Sequence, residues 1–308
     1  MSKTKTDIPA NTLRSPTRRK IHIGRLVLPY AMVMPAMILL VVFTFYPSID
    51  MVINSFYKVT NPFKGTRSYV GFENYEMLFK HPDFLPSVRN TVIFTIGSVI
   101  FMIVLGLIFA LWLQRSTFIN GIVQRFMFLP HICAFLSVAL IFQWLMDDEG
   151  LFNFVLSWFN LPGLRWFNSS DTALISIMIV TLWKGIGYYA LILLSAVKSI
   201  PTELLEAADL DDAGKLRTFF KISLPMLSPQ IFFLLITITI NSFKVFDSVR
   251  ILTNGMCDTN VLVFLIYTLN RTSGQEGVAA AAGTVLLAIL MVFTLIYFRI
   301  LGKRVHYQ

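Results

Sequence analysis

Six apolar runs of similar length dominate the chain: Leu26 to Tyr46, Thr91 to Leu113, Val123 to Met146, Ala173 to Val197, Met226 to Phe246 and Val278 to Phe298. Each matches the roughly 20 residues that a helix needs to cross a bilayer. Hydrocarbon offers a backbone no hydrogen-bond partner, so a spanning segment must satisfy its own polar groups, and continuous apolar runs do so as helices. The expected fold class is therefore an all-α polytopic membrane protein with six transmembrane helices. Composition agrees, because 56% hydrophobic and 14% charged residues leave too little polar surface for a soluble domain of 308 residues.

Charge sets the topology. Sixteen Lys and Arg fall on the side of the N-terminus, eight fall on the other side, and Lys184 and Lys244 lie within runs. By the positive-inside rule this predicts an N-in, C-in arrangement. The net charge of +9 is accordingly read as topology and not as nucleic-acid binding. Residues 1–25 form a basic tail, and residues 26–308 form the six-span domain. The tail is too long and polar for a signal peptide's first region, so the first run is expected to stay in place. Among the outer segments, GFENYEMLF at 71–79 reads as a short amphipathic helix, and LFNFVLSWFN at 151–160 as a helix lying at the interface.

Between the fourth and fifth runs lies the loop 198–229, KSIPTELLEAADLDDAGKLRTFFKISLPMLSP, with five carboxylates inside ten positions. It reads as two short helices and a tight corner. Pro201 suits a first helical turn, and Glu203, Glu206 and Asp209 draw an acidic ridge along one face. Ala207 and Ala208 leave another face low. After the corner Asp211-Asp212-Ala213-Gly214, a basic amphipathic helix restarts at Lys215 and is closed by Pro225. Charge pattern alone fits a solvated loop as well as a docking surface.

The register of this loop resembles the signature of ABC importer permeases, E-A-A-x3-G-x9-I-x-L-P, here Glu206-Ala207-Ala208 followed at the set spacing by Ile222-Ser223-Leu224-Pro225. The family's Gly falls on Asp212, so the turn is made either by a left-handed Asp212 or by Gly214. The resemblance implies the type I importer permease fold and a coupling helix that docks on a separate ATPase, with Glu206, Ala207, Ala208, Asp209, Leu210, Asp211, Asp212, Gly214, Leu224 and Pro225 at that contact. It also implies a second homologous permease, making a heterodimer, two ATPase subunits that bind ATP and Mg, an extracytoplasmic solute-binding protein, and the cytoplasmic membrane of a bacterium or archaeon.

Further stretches resemble the carbohydrate branch of these permeases: Trp183 to Tyr189, Ser199-Ile200-Pro201, Asn241 to Asp247, Leu252-Thr253-Asn254-Gly255 and Val305-His306-Tyr307. The branch's T-x-G-G-P is here Thr253-Asn254-Gly255-Met256-Cys257. Sugars present an apolar face and a rim of hydroxyls, which suits aromatic platforms flanked by amide and hydroxyl groups. Gly187, Tyr188, Tyr189, Asn241, Ser242 and Lys244 are thus candidates for the solute pathway. The bland alternative makes the glycines packing notches and lets Lys184 and Lys244 snorkel, with Lys244 paired to Asp247. His131, beside Pro130, is expected to satisfy the carbonyl that the proline frees.

None of the six runs carries Asp or Glu, which disfavours a proton-coupled carrier. Gly214-Lys215 and Gly302-Lys303 lack a following Ser or Thr and the preceding spacing of a phosphate-binding loop, so the chain is read as a subunit with no ATPase site, cofactor, metal cluster or catalytic residue of its own. The function implied is import of a sugar or oligosaccharide by alternating access. The alternatives are a polyol phosphate or other anionic glycoside, or a secondary carrier outside this family.

Overall fold

The computed structural model describes residues 23–61 and 66–300. Most of the expected basic tail, and the Val305-His306-Tyr307 stretch, lie outside the described residues. The chain divides into two units, one ending at Asp50 and the other running from Met51 onward.

The first unit is an apolar rod: α1 (Ile23–Leu40), a π-helical turn (Val41–Phe45) and the start of α2 (Tyr46–Asn54). The π-turn has a specific cause. Pro47 has no N–H and its ring crowds the carbonyl four residues back, at Phe43, and the turn widens around that residue.

The second unit opens with an antiparallel hairpin, β1 (Tyr57–Asn61) and β2 (Thr66–Tyr69), which the all-helical expectation did not contain. Helix α3 (Glu73–Lys80) follows, where the amphipathic pattern placed it. Its carboxylate Glu76 meets Lys80 at 2.5 Å, and that bond and charge hold the carboxyl below its usual range. Buried Asn74 ties α3 to the hairpin by donating to the carbonyls of Ser55 (2.8 Å) and Tyr57 (2.9 Å).

Helix α4 (Phe84–Leu113) starts seven residues before the expected Thr91, because Ser87, Asn90 and Thr91 are buried against other elements and not left to water. One stripe, Phe94, Ser98, Met102, Gly106 and Ala110, is buried; the opposite stripe, Ile93, Ile96, Ile100, Val104 and Ile108, is exposed. Small residues, with Phe94 and Met102, face in and branched apolar ones face out, the arrangement for a helix with lipid on one side and protein on the other.

The third run is not one straight helix. It forms α5 (Phe118–Ile132) and α6 (Phe135–Leu145), bent by 101° at an extended break over Cys133 and Ala134. The continuous span expected from Val123 to Met146 is therefore corrected. Among the described residues, five apolar helices are long enough to cross a membrane, and counting this pair as one span makes six. Helix α7 (Leu151–Trp158) lies in the next loop, and Asn153 organises it by bonding Leu164 and the Trp166 indole.

Helix α8 (Ala173–Lys198) packs most extensively on α4 and carries the centre of the core with Ile177, Leu193 and Val180. The loop beyond it comprises α9 (Thr202–Leu210), α10 (Lys215–Thr218), a second π-turn (Phe219–Ser223) and α11 (Leu224–Met226). Pro225 does not close the helix as expected. As at Pro47, a π-turn ends two residues earlier and opens around Lys221, the carbonyl the proline ring would strike. Then come α12 (Ser228–Phe243), α13 (Asp247–Leu252), α14 (Leu262–Arg271) and α15 (Glu276–Ile300).

The loop after α13 departs from T-x-G-G-P, and its backbone shows how. Asn254 (φ 51°), Gly255 (φ 75°), Cys257 (φ 55°) and Asp258 (φ 55°) are all left-handed. The start of α4 holds the loop there: Asn90 donates to the carbonyls of Asp258 (2.7 Å) and Asn260 (3.0 Å), and Arg89 pairs with Asp258.

Replacing Asn74 with Ala leaves two buried carbonyls without their donor. The expected loss is about 2 kcal/mol. It should appear as a lower thermal midpoint of the purified permease, followed by tryptophan fluorescence.

Candidate functional site

Two sets of residues were expected to carry function, one on the 198–229 loop and one on α8 and α12. The loop is held from within. Leu205 packs on the cluster containing Leu193, Val197 and Leu227, and Ala208, one turn further on, is buried. Ala208 lies on the same stripe of α9 as Leu205, three residues away, whereas its neighbour Ala207 is exposed. Glu206, Ala207, Asp209 and Leu210 are exposed, Leu210 to 87%. Among the described residues no ion pair joins Glu203, Glu206, Asp209, Asp211 or Asp212 to a base.

The corner resolves the choice between Asp212 and Gly214. Asp212 has φ 51° and Gly214 has φ −59°. The amide of Ala213 bonds the carbonyl of Ala208 (3.0 Å), and that of Asp212 bonds Asp209 (3.2 Å). This pair of bonds is a Schellman cap with Asp where glycine is usual. Pro201 precedes α9 as its N-cap and is not in its first turn. Gly214 in turn stands before α10 in extended conformation, and Leu224 and Pro225 continue the helical path toward α12.

On the membrane side, Gly187, Tyr188 and Tyr189 come together with Asn241. Tyr189 is buried, and its hydroxyl lies near the Asn241 side chain in the last turn of α12. The Tyr188 and Tyr189 rings meet edge to face at 5.2 Å. Tyr188 also stacks on His131 of α5, with centroids 4.4 Å apart and planes 6° from parallel. Ser242 is buried away from this group, and Lys244 lies exposed at the end of α12 with no ion pair to Asp247. The Tyr188 face of α8 continues inward through Ile192, Ser195 and Ser199, which with Gln230 line a cleft of about 510 Å³ between α8 and α12. That cleft ends beside the 198–229 loop.

His131 and Lys184 take partners other than those expected from the sequence. Lys184 does not snorkel to an interface: its Nζ donates to the carbonyls of His131 (2.8 Å) and Pro130 (3.3 Å) at the end of α5. His131 is occupied with Tyr188, so the proline's surroundings are satisfied by a lysine from the neighbouring span. The signal was present in Pro130-His131 interrupting an apolar run, but its partner lies 53 residues away.

A loop held to the bundle by Leu205 and open on its other face, beside a cleft between two apolar helices of membrane-spanning length, fits a membrane permease subunit. Residues 102–307 match the family described as "Binding-protein-dependent transport system inner membrane component". The chain belongs to that family, as an ABC importer permease of the carbohydrate-uptake branch. Its relatives include the sulfoquinovosyl glycerol transport system permease protein SmoG of Agrobacterium fabrum, 32% identical over 93% of this chain and 94% of the relative. The sn-glycerol-3-phosphate transport system permease protein UgpA of Pectobacterium atrosepticum is 30% identical over 91% and 96%. Among solved structures, a chain of a bacterial alginate ABC transporter, in complex with alginate pentasaccharide-bound periplasmic protein, superposes with a TM-score of 0.78 at 25% identity over 90% of this chain and 94% of that one.

Asp212→Gly should remove the strain of a left-handed non-glycine residue, about 1 kcal/mol. The Ala213 amide is then expected to exchange roughly fivefold more slowly with deuterium. Asp212→Val should speed that exchange.

Proposed function

We propose that this chain is one half of the transmembrane pathway of an ATP-driven importer, moving a sugar or oligosaccharide inward by alternating access. It stands N-in, C-in in the cytoplasmic membrane of a bacterium or archaeon and pairs with a second, homologous permease as a heterodimer. Two ATPase subunits beneath bind ATP and Mg, which this chain does not, and an extracytoplasmic solute-binding protein delivers the solute. Half a pathway suits the geometry, since the face bearing Tyr188, Ile192, Ser195 and Ser199 is open on one side.

The observation that carries this reading is the two-faced α9. On its inner face Leu205 packs against the bundle and Ala208 is buried; its outer face, Glu206, Ala207, Asp209 and Leu210, offers two carboxylates without an ion pair among the described residues and bare apolar surface. Inverting a population from 1:99 to 99:1 requires about 5.5 kcal/mol of differential binding. An exposed ion pair supplies only about 0 to 1 kcal/mol, so Glu206 acts together with the apolar contact of Leu210 and the close approach that Ala207 allows.

A second reading, an anionic glycoside or polyol phosphate as solute, is favoured by the relatives named for sulfoquinovosyl glycerol and sn-glycerol-3-phosphate transport. Lys184 does not support it directly, because its donors point at α5 carbonyls; Lys244 is the exposed cation.

Glu206→Lys and Ala207→Asp are each expected to abolish solute uptake in energised membrane vesicles and to lose the co-purifying ATPase, with the permease still inserted. Normal uptake by either variant would contradict the assignment of this face.

A further inference from the structure

The break in the third span is costly as it stands. A helix that stops inside the membrane leaves up to four carbonyls without intrahelical partners, and no water is there to take them. Lysine inside a span is equally unfavourable alone. Here each difficulty answers the other: the Lys184 amine bonds the Pro130 and His131 carbonyls, where the negative end of the α5 dipole also favours a cation. Two further contacts fix the same place. A Cβ on Gly187 would lie 1.7 Å from the Met127 carbonyl oxygen, so only glycine lets α5 approach α8 there. One residue on, Tyr188 stacks flat on His131.

We propose that Lys184, Gly187 and Tyr188 form a latch on α8 that holds the elbow between α5 and α6, and that Lys184 is a positioning residue and not a ligand for the solute. The latch sets where α6 lies relative to the Tyr188 face of α8, and hence the width of the passage on that side. Its link to transport rests on the importer reading; its link to the elbow does not.

The test uses the assembled complex with Cys133 and Cys257 replaced by Ser and nitroxide labels at Ile119→Cys on α5 and Trp144→Cys on α6, both exposed positions. Electron–electron dipolar spectroscopy then reads the elbow. In Lys184→Met the distance should lengthen or broaden toward the ~38 Å that a straight helix between these positions would span. In Lys184→Arg, which keeps charge and donors, it should stay at the parent value. Uptake should fall by about tenfold or more in the Met variant, as for loss of two charge-assisted bonds, and recover in the Arg variant. If the Met variant fails to insert, Gly187→Ala keeps the cation and should show the same shifted distance; an unshifted distance there would overturn the proposal. So would an unchanged distance in Lys184→Met accompanied by a raised KM alone, which would make Lys184 a solute ligand. A shifted distance in a complex that shows no uptake of any glycoside would uphold the latch and count against the importer reading.

Discussion

Hydrocarbon supplies no hydrogen-bond partner, and the sharpest break among the described spans, between α5 and α6, is an answer to that fact. Where the backbone must deviate from a helix, something nearby takes up the groups left over. Two prolines, Pro47 and Pro225, are each preceded by a π-turn at the same offset, so the helix widens where the ring would collide and then continues. The sharper break at Cys133 and Ala134 is beyond such relief, and there a side chain from the adjacent span supplies the donors. Non-helical backbone at membrane depth is tolerated only where its polar groups find partners, and Lys184 of α8 is the partner here.

The same helix connects the two ends of the function. From Lys184 through Tyr189 and Ser195 to the first residue of the 198–229 loop, α8 is one uninterrupted rod. Its far end carries α9, whose Leu205 packs against the bundle. A force applied to the exposed side of α9 therefore reaches the bundle through Leu205 and through the chain that joins α9 to α8. Close-packed interiors transmit displacement because they have few voids to absorb it.

Much of this was legible in residue order. The spans, the short α3 and α7 helices and the two-part loop follow from apolar run length and from the spacing of Pro, Gly and acidic residues. What was not legible depends on contacts between distant segments. Pro130 is compatible with a continuous membrane helix, and the 101° elbow appears only when Lys184 is seen to cap α5. Ala207 and Ala208 are identical in sequence terms, yet one faces out and the other in, because the phase of α9 is set by Leu205 against α8 and α12. The early start of α4 at Phe84 arises because Asn90 and Thr91 bond a loop some 170 residues later. Asp212 was one of two options for the corner, and the bonds of the Schellman cap, local as they are, decide for it.

The central claim is that the exposed face of α9 lies on the cytoplasmic side and is covered there by the ATPase. Leu210→Cys, in a chain with Cys133 and Cys257 changed to Ser, puts a single thiol on that face. A membrane-impermeant maleimide should label it in inverted membrane vesicles stripped of the ATPase, should fail to label it in intact cells, and should be blocked in vesicles when the ATPase subunits are restored. Labelling from outside intact cells, or labelling in vesicles that the ATPase does not protect, would contradict the account.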